Sequence, residues 1–159
     1  MVVKVVSGGQ SGVDRAAVDA AMATGLQAGG WCPRGRRAED GPLDPRYPLQ
    51  ETPSEEYAER TSWNVRDSDA TLILTTGEPT GGTAFTVEVA LRLGRRSLVV
   101  DLATAPDPRA VCDWLVREKI DVLNVAGPRE SGSPGVHALA FAFLRDVFRL
   151  ATVPPPEGP

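Results

Sequence analysis

Side chains that usually hold metals or attack substrates are scarce in this chain. Its 159 residues include two cysteines and one histidine. Cys32 and Cys112 stand far apart with no metal-ligand spacing, and with His137 alone no zinc site is expected. A lone disulfide does not suit a chain that reads as cytoplasmic. Lysine is as rare, at Lys4 and Lys119 only, while arginine supplies the other basic residues. The net charge is −4, which leaves sequence-independent binding to nucleic acid or to an anionic membrane without an electrostatic basis. No stretch approaches the roughly 20 apolar residues that cross a bilayer. The amino end runs into an apolar strand at Val2, without the basic region and apolar core of a secretion signal. These gaps leave a cytoplasmic globular protein, and 42% hydrophobic and 24% charged residues are ordinary proportions for one.

Glycine, in contrast, is concentrated where strands turn into helices. Val2–Val6 leads into Ser7-Gly8-Gly9-Gln10-Ser11-Gly12-Val13-Asp14-Arg15, and Ala70–Leu74 leads into Thr75-Thr76-Gly77-Glu78-Pro79-Thr80-Gly81-Gly82-Thr83. Glycine lets a backbone approach a ligand closely. A helix start then presents unpaired N–H groups and the positive end of its dipole. Two such turns in a chain of this size point to a phosphate-bearing ligand held between them.

The pattern along the chain alternates strand and helix. Strands are expected at Val2–Val6, Leu26–Trp31, Ala70–Thr75, Ser97–Leu102 and Val122–Ala126. Helices are expected at Val13–Thr24, from a cap at Thr52 to Arg66, and at Ala84–Leu93, Asp107–Glu118 and Val136–Leu150. The segment from Pro33 to Thr52, with four prolines and no periodicity, reads as a lid or binding loop, or else as a decorated surface loop. Such alternation predicts an α/β fold of three layers, a mainly parallel sheet of about five strands between helices. One domain over residues 1–150 is expected, followed by a disordered proline-rich tail over 151–159. The turns after Val6, Leu74 and Ala126 should share the carboxyl edge of the sheet, where ligands of such folds bind.

Neither glycine turn is a dinucleotide fingerprint or a Walker A loop, because Gln10 replaces a required glycine and no Gly-Lys-Ser/Thr follows. Arg34, Arg36 and Arg37 follow the second strand, where they would suit a terminal phosphate or form a solvated face. Ser7, Gln10, Ser11, Thr80 and Thr83 can offer hydroxyl or amide groups, although Ser11 and Thr83 also fit ordinary helix caps. Asp14 is favoured in a first helical turn by the dipole alone; as a ligand group it would need a ribose, pterin or metal partner. Arg15 and Arg129 can pair with an anion. Asn64 and Arg66 precede the third strand, and Trp31 and Trp63 can stack on a ring or fill the core.

An ordered set of motifs resembles one family. The first glycine turn, Gly30-Trp31-Cys32-Pro33-Arg34-Gly35-Arg36-Arg37, Asn64-Val65-Arg66-Asp67-Ser68-Asp69, Thr80-Gly81-Gly82-Thr83 and Asn124-Val125-Ala126-Gly127-Pro128-Arg129 are similar to the signatures of the molybdenum carriers. That family is a branch of the Rossmann-like nucleotide-binding proteins that include the lysine decarboxylase-like, cytokinin-activating hydrolases. The resemblance spans about residues 3–150. It implies a Rossmann-like sandwich and a phosphate-ligand crevice. The implied ligand is the molybdenum cofactor or a nucleotide, the implied role is carriage rather than catalysis, and a homo-oligomer is expected of a carrier. It carries Ser7, Gly8, Gly9, Gln10, Ser11, Gly12, Asp14, Arg15, Arg34, Arg36, Asn64, Arg66, Thr80, Gly81, Gly82, Thr83, Glu88 and Arg129 over as ligand-binding residues. The hydrolase relatives have Pro-Gly-Gly-x-Gly-Thr-x-x-Glu; here the glycine pair and Glu88 remain, but Thr80, Ala84 and Phe85 replace the other positions. A hydrolase would use Glu88 with Arg15 for N-glycosidic cleavage, and a nucleotide-sensing module is the remaining alternative.

Overall fold

In a computed structural model that describes residues 1–152, there are seven strands and five helices, and the five strands of the main sheet alternate with the helices as expected. The strands are β1 (Lys4–Val6), β2 (Gln27–Gly29), β3 (Trp31–Cys32), β4 (Gln50–Glu51), β5 (Ala70–Thr75), β6 (Arg96–Asp101) and β7 (Val122–Ala126). The helices are α1 (Val13–Ala23), α2 (Tyr57–Arg66), α3 (Gly81–Arg92), α4 (Pro108–Arg117) and α5 (Val136–Thr152). Five strands form one parallel sheet in the order β2-β1-β7-β5-β6. The last strand therefore occupies the centre, between β1 and β5. The expected Rossmann-like sandwich is the fold observed.

One face of the sheet is apolar. Ala70, Leu72 and Leu74 of β5 and Leu123 and Val125 of β7 join Ala16, Ala17, Ala20 and Ala21 of α1, Trp114 and Leu115 of α4, and Leu144 and Phe148 of α5. The alanine face of α1 is fully buried; its small side chains let α1 lie close against the sheet and α5. The opposite face, under α2 and α3, is mixed. It carries the fully buried Thr71 and the largely buried Thr75 and Asn124, with the Asn124 amide donating to Thr71 Oγ1 at 3.2 Å. Val65, Val89 and Ala90 make only a small apolar cluster there. This thinner, more polar packing leaves room for a cleft.

Several expected boundaries shift, each for a local reason. Helix α2 starts after Glu56, not at Thr52, whose hydroxyl donates to Ser54 O instead. Helix α3 starts at Gly81 after Thr80, so the glycine pair lies inside the first turn and not ahead of it. The strand expected over Leu26–Trp31 breaks at Gly30, and its second part pairs β3 with β4 in a separate two-stranded sheet. Helix α5 runs on to Thr152, beyond the expected start of the tail, whose residues 153–159 lie outside the described residues. The Pro33–Thr52 segment is no loose lid. Leu43, Tyr47 and Leu49 from it pack on Val18 and Cys32, and Arg36 donates to the carbonyls of Leu43, Asp44, Tyr47 and Leu49.

Candidate functional site

A cleft of about 430 Å³ opens at the carboxyl edge of the sheet, within the range of roughly 300–1,000 Å³ usual for small-molecule sites. Its floor is β7 and β5, at Asn124, Val125 and Thr75, and its walls are α2, at Tyr57, Arg60 and Asn64, and α3, at Thr83, Phe85 and Thr86. All three glycine-bearing turns reach its rim, through Gly8 and Gln10, through Thr76, Glu78 and Thr80, and through Gly127, Pro128, Arg129, Gly132 and Ser133.

The two glycine turns behave differently. At the first, Gly12 has φ +80°, and a Cβ there would lie 2.4 Å from Pro128 O. The Val13 N–H already donates to that same carbonyl at 3.2 Å. The third loop thus sits directly on the start of α1, which is closed to a ligand. Ser7 is fully buried and donates to Val125 O at 2.8 Å, so its hydroxyl ties the turn to the sheet. Gly9 faces Leu43 and Leu49. Ser11 hydrogen-bonds Glu39 and accepts from Glu130 N, while Glu39 also accepts from Ser131. Those two hydroxyl bonds hold the Glu39 carboxyl below the usual carboxylate range.

At the second turn the start of α3 is open. Thr80 makes no side-chain cap, and only Thr83 and Ala84 among the first amides donate, both to Thr80 O. A Cβ on Gly81 or Gly82 would meet nothing within 4 Å. Glycine is therefore not needed at residue 82 by any protein neighbour. The open space lies on the cleft side, where Thr80, Gly81, Gly82 and Thr83 all line the wall.

A buried ion pair lies in the cleft between α1 and α2. Asp14 and Arg60 are 7% and 8% exposed, with Arg60 Nη1 3.7 Å from Asp14 Oδ2. Arg60 Nη1 also donates to Gly8 O at 2.7 Å and Nε to Thr61 Oγ1 at 3.2 Å. Its guanidinium lies so flat against Gly8 that a Cβ there would stand 2.5 Å from Nη1. Burial pushes the Asp14 carboxyl up to about 6, against the opposing pull of Arg60, the Gln10 N–H and Arg15. Desolvation wins here because the carboxylate is buried under the turn and its backbone bond, from Gln10 N, is long at 3.4 Å.

Of the residues expected in the site, Gly8, Gln10, Asp14, Asn64, Thr80, Gly81, Gly82, Thr83 and Arg129 line the cleft. Asn64 is nonetheless committed: its amide exchanges two hydrogen bonds with the Trp31 main chain, at 2.8 and 2.9 Å, and so anchors β3. Arg129 stands half-exposed at the rim, 3.9 Å from Glu39.

The other expected residues are placed elsewhere. Arg15 is paired with Asp40. Arg34 is exposed in a 3-10 turn, and Arg36 spends its N–H groups on the four carbonyls already named. Arg66 pairs with Asp67 and lies over the Trp63 ring. Trp31 and Trp63 meet edge to face at 4.8 Å, outside the cleft lining. Glu88 is exposed and does not line the cleft, because the helix face that faces the cleft is set by Thr83, Phe85 and Thr86, and residue 88 is turned away from it. The hydrolytic pair of Glu88 with Arg15 is not assembled.

Sequence reading passed over Arg60, Tyr57, Thr86 and Asn124. Arg60 was within reach, since it stands one helical turn before Asn64 on the same face. Among the described residues, no group of three or more His, Cys, Asp or Glu side chains converges to hold a metal ion, and no helix is long and apolar enough to cross a membrane.

These features define a Rossmann-like α/β fold with one polar cleft at the carboxyl edge of its sheet, walled by an uncapped helix start. Residues 5–148 match the family described as circularly permutated YpsA SLOG, and the chain belongs to that family. It is also similar to a crystal structure from Syntrophus aciditrophicus, named "Putative molybdenum carrier protein". The two share 40% sequence identity over 92% of this chain and 94% of that one, with a TM-score of 0.86. The resemblance to the molybdenum carriers read from the motifs therefore holds. No curated protein matches the chain significantly.

Proposed function

We propose that the cleft binds a small ligand made of a flat ring and a phosphate, and that the protein carries it rather than transforms it. The observation that carries this reading is the start of α3: uncapped amides at Gly81 and Gly82, with open space in front of them, in the wall of the cleft. A phosphate there gains the helix dipole and unpaired N–H donors, with Arg129 at the rim as a counter-charge. A ring would lie deeper, between Tyr57 of α2 and Phe85 of α3.

The molybdenum cofactor, a pterin bearing a phosphate, fits this division of the cleft, and the neighbour's name favours it over a nucleotide. The phosphate would rest on residues 80–83 and the ring on the α2 side. The metal would be held by the cofactor's own sulfur atoms, since the described residues offer it no cluster of ligands. Hydrolysis has less support, because the one carboxylate that the motif offered, Glu88, is outside the cleft.

Native mass spectrometry of protein purified anaerobically from its own host tests the proposal. The expected result is one phosphate-bearing small molecule per chain, released on denaturation and identified as a molybdopterin. A nucleotide would move the reading to the sensing alternative. A protein that carries no such molecule, and that gains none when offered nucleotides or pterin phosphates, would overturn it.

The same proposal includes self-assembly in the cytoplasm. Leu91 is 73% exposed, and Leu93 and Val99 are also exposed beside the free edge of β6, an apolar border suited to a second copy. Sedimentation at micromolar concentration tests it, and a monomer would count against it.

A further inference from the structure

The deepest polar feature of the cleft has more donors and acceptors than the fold consumes. Arg60 is 8% exposed, yet its Nη2 makes no hydrogen bond among the described residues. It is not sealed off either, because it is absent from the buried atoms that lack a partner while Arg60 lines the cleft. Asp14 is 7% exposed and lines the same cleft; its Oδ2 takes one backbone bond of 3.4 Å, and the Ser7 hydroxyl beside the carboxylate donates its proton to Val125 O instead. A nearly buried pair thus presents two N–H groups from one partner and carboxylate oxygens from the other. Groups so desolvated cost free energy unless a ligand meets them.

We infer that Asp14 and Arg60 together read the edge of the ligand's ring, and that this edge is a 2-amino-4-oxopyrimidine, the hydrogen-bonding face that pterin and guanine share. This rests on the cleft being the phosphate-ligand site proposed above. The match follows from the order of donors and acceptors. Such an edge offers a carbonyl oxygen, then a ring N–H, then an exocyclic amino group. Arg60 Nη2 donates to the carbonyl oxygen. The two carboxylate oxygens of Asp14 accept from the two adjacent N–H groups, as a fork.

A 6-aminopurine edge supplies only one donor beside its ring acceptor, and it leaves one buried carboxylate oxygen without a partner. Hypoxanthine keeps the carbonyl and the ring N–H but lacks the amino group, with the same result. Sites built to hydrogen-bond a polar group reject analogues that lack it more strongly than apolar pockets reject a missing methylene. A phosphate is a poor occupant of this corner, because the Asp14 carboxylate lies 3.7 Å from Arg60 and would repel it. The phosphate therefore belongs at the start of α3, and the edge of the ring that lies between Tyr57 and Phe85 belongs at Asp14 and Arg60.

The test is calorimetric titration of the full chain, freed of any co-purified ligand, with GMP, IMP, AMP and 6-hydroxymethylpterin phosphate. The expected result is that GMP or the pterin phosphate binds at least tenfold more tightly than both IMP and AMP. Asp14→Asn should remove that preference while leaving the weak binding of AMP within a few-fold. GMP binding without the pterin marks a guanine nucleotide as the ligand, and the reverse marks a pterin; either supports the inference. Equal affinity for all four, or a preference that survives in Asp14→Asn, overturns it while leaving the phosphate site intact. If none of the four binds, the phosphate-ligand reading itself fails and this inference falls with it. The comparison among ligands on the unaltered protein does not depend on how well the variant folds.

Discussion

Adding one methyl group at residue 82 should separate the two roles a glycine can play. Gly82 is the second residue of α3, has no positive φ, and a Cβ built there meets no atom within 4 Å. Alanine in its place clashes with nothing and gains helix propensity, at most about 0.5–1 kcal/mol. In a chain of this size that corresponds to a melting temperature raised by roughly 1–4 °C. The same methyl would stand in the space through which a phosphate oxygen approaches the amides. Loss of one charge-assisted hydrogen bond costs about 1.5–3 kcal/mol, or roughly ten- to a hundred-fold in Kd.

Gly12→Ala is the contrasting case. Its φ of +80° and the 2.4 Å approach to Pro128 O add strain to a clash, together about 2–5 kcal/mol, and the protein should melt well below the native chain. Thermal melts of both variants, with calorimetric titration of Gly82→Ala with GMP or with whichever ligand co-purifies, make the comparison. If Gly82→Ala lowers the melting temperature, or melts higher but binds as tightly as the native chain, the assignment of α3 as the phosphate end is wrong.

Asp14 should make stability depend on pH in an unusual direction. Its carboxyl is raised from 3.8 to about 6 in the folded chain, so the folded state holds the proton more tightly than the unfolded one. The resulting stabilisation is complete below pH 4 and is lost as pH rises through about 6, a swing of about 3 kcal/mol from this group. Melting temperatures from pH 4 to 8 should show Asp14→Asn gaining on the native chain as pH rises, and a constant difference would refute the burial account. Arg36→Ala should destabilise the Pro33–Thr52 segment through four lost hydrogen bonds to carbonyls and leave ligand affinity unchanged. Faster proteolysis of that segment with intact binding is the expected pair of readouts, and weakened binding would return Arg36 to the site. Glu88→Gln should change neither stability nor ligand affinity measurably, and a binding loss beyond a few-fold would contradict the exposed position of Glu88.

The alternation of apolar strands and helices made the architecture legible, because β5 is buried along its whole length and α1 shows one continuous alanine face. The shared edge was legible too, since every glycine-bearing turn follows a strand of a parallel sheet. Local sequence could not say which turn was free. Gly12 and Gly82 look alike in sequence, yet one is closed by Pro128, more than a hundred residues away, and the other is open. The arginines following β3 misled for a similar reason. Arg36 meets four carbonyls that only the folded segment brings together, while Arg60, in an unremarkable helix, reaches the cleft through a side chain that extends from α2 to Gly8 and Asp14 of the first turn. Packing between distant segments decides both, and periodicity carries no record of it.

The central place of β7 sets the order in which the binding surface can come into being. Val122–Ala126 pairs with β1 on one side and β5 on the other, and it brings Asn124 and the loop that closes the start of α1. A growing chain therefore has no complete cleft floor until Val122–Ala126 has been made, and the early strands wait for a distant partner, a long-range closure of the kind that slows folding. On the proposed reading, ligand is taken up only once β7 is in place between β1 and β5. A carboxyl-terminally truncated product, even one retaining every glycine of the first two turns, would have nothing to hold it with.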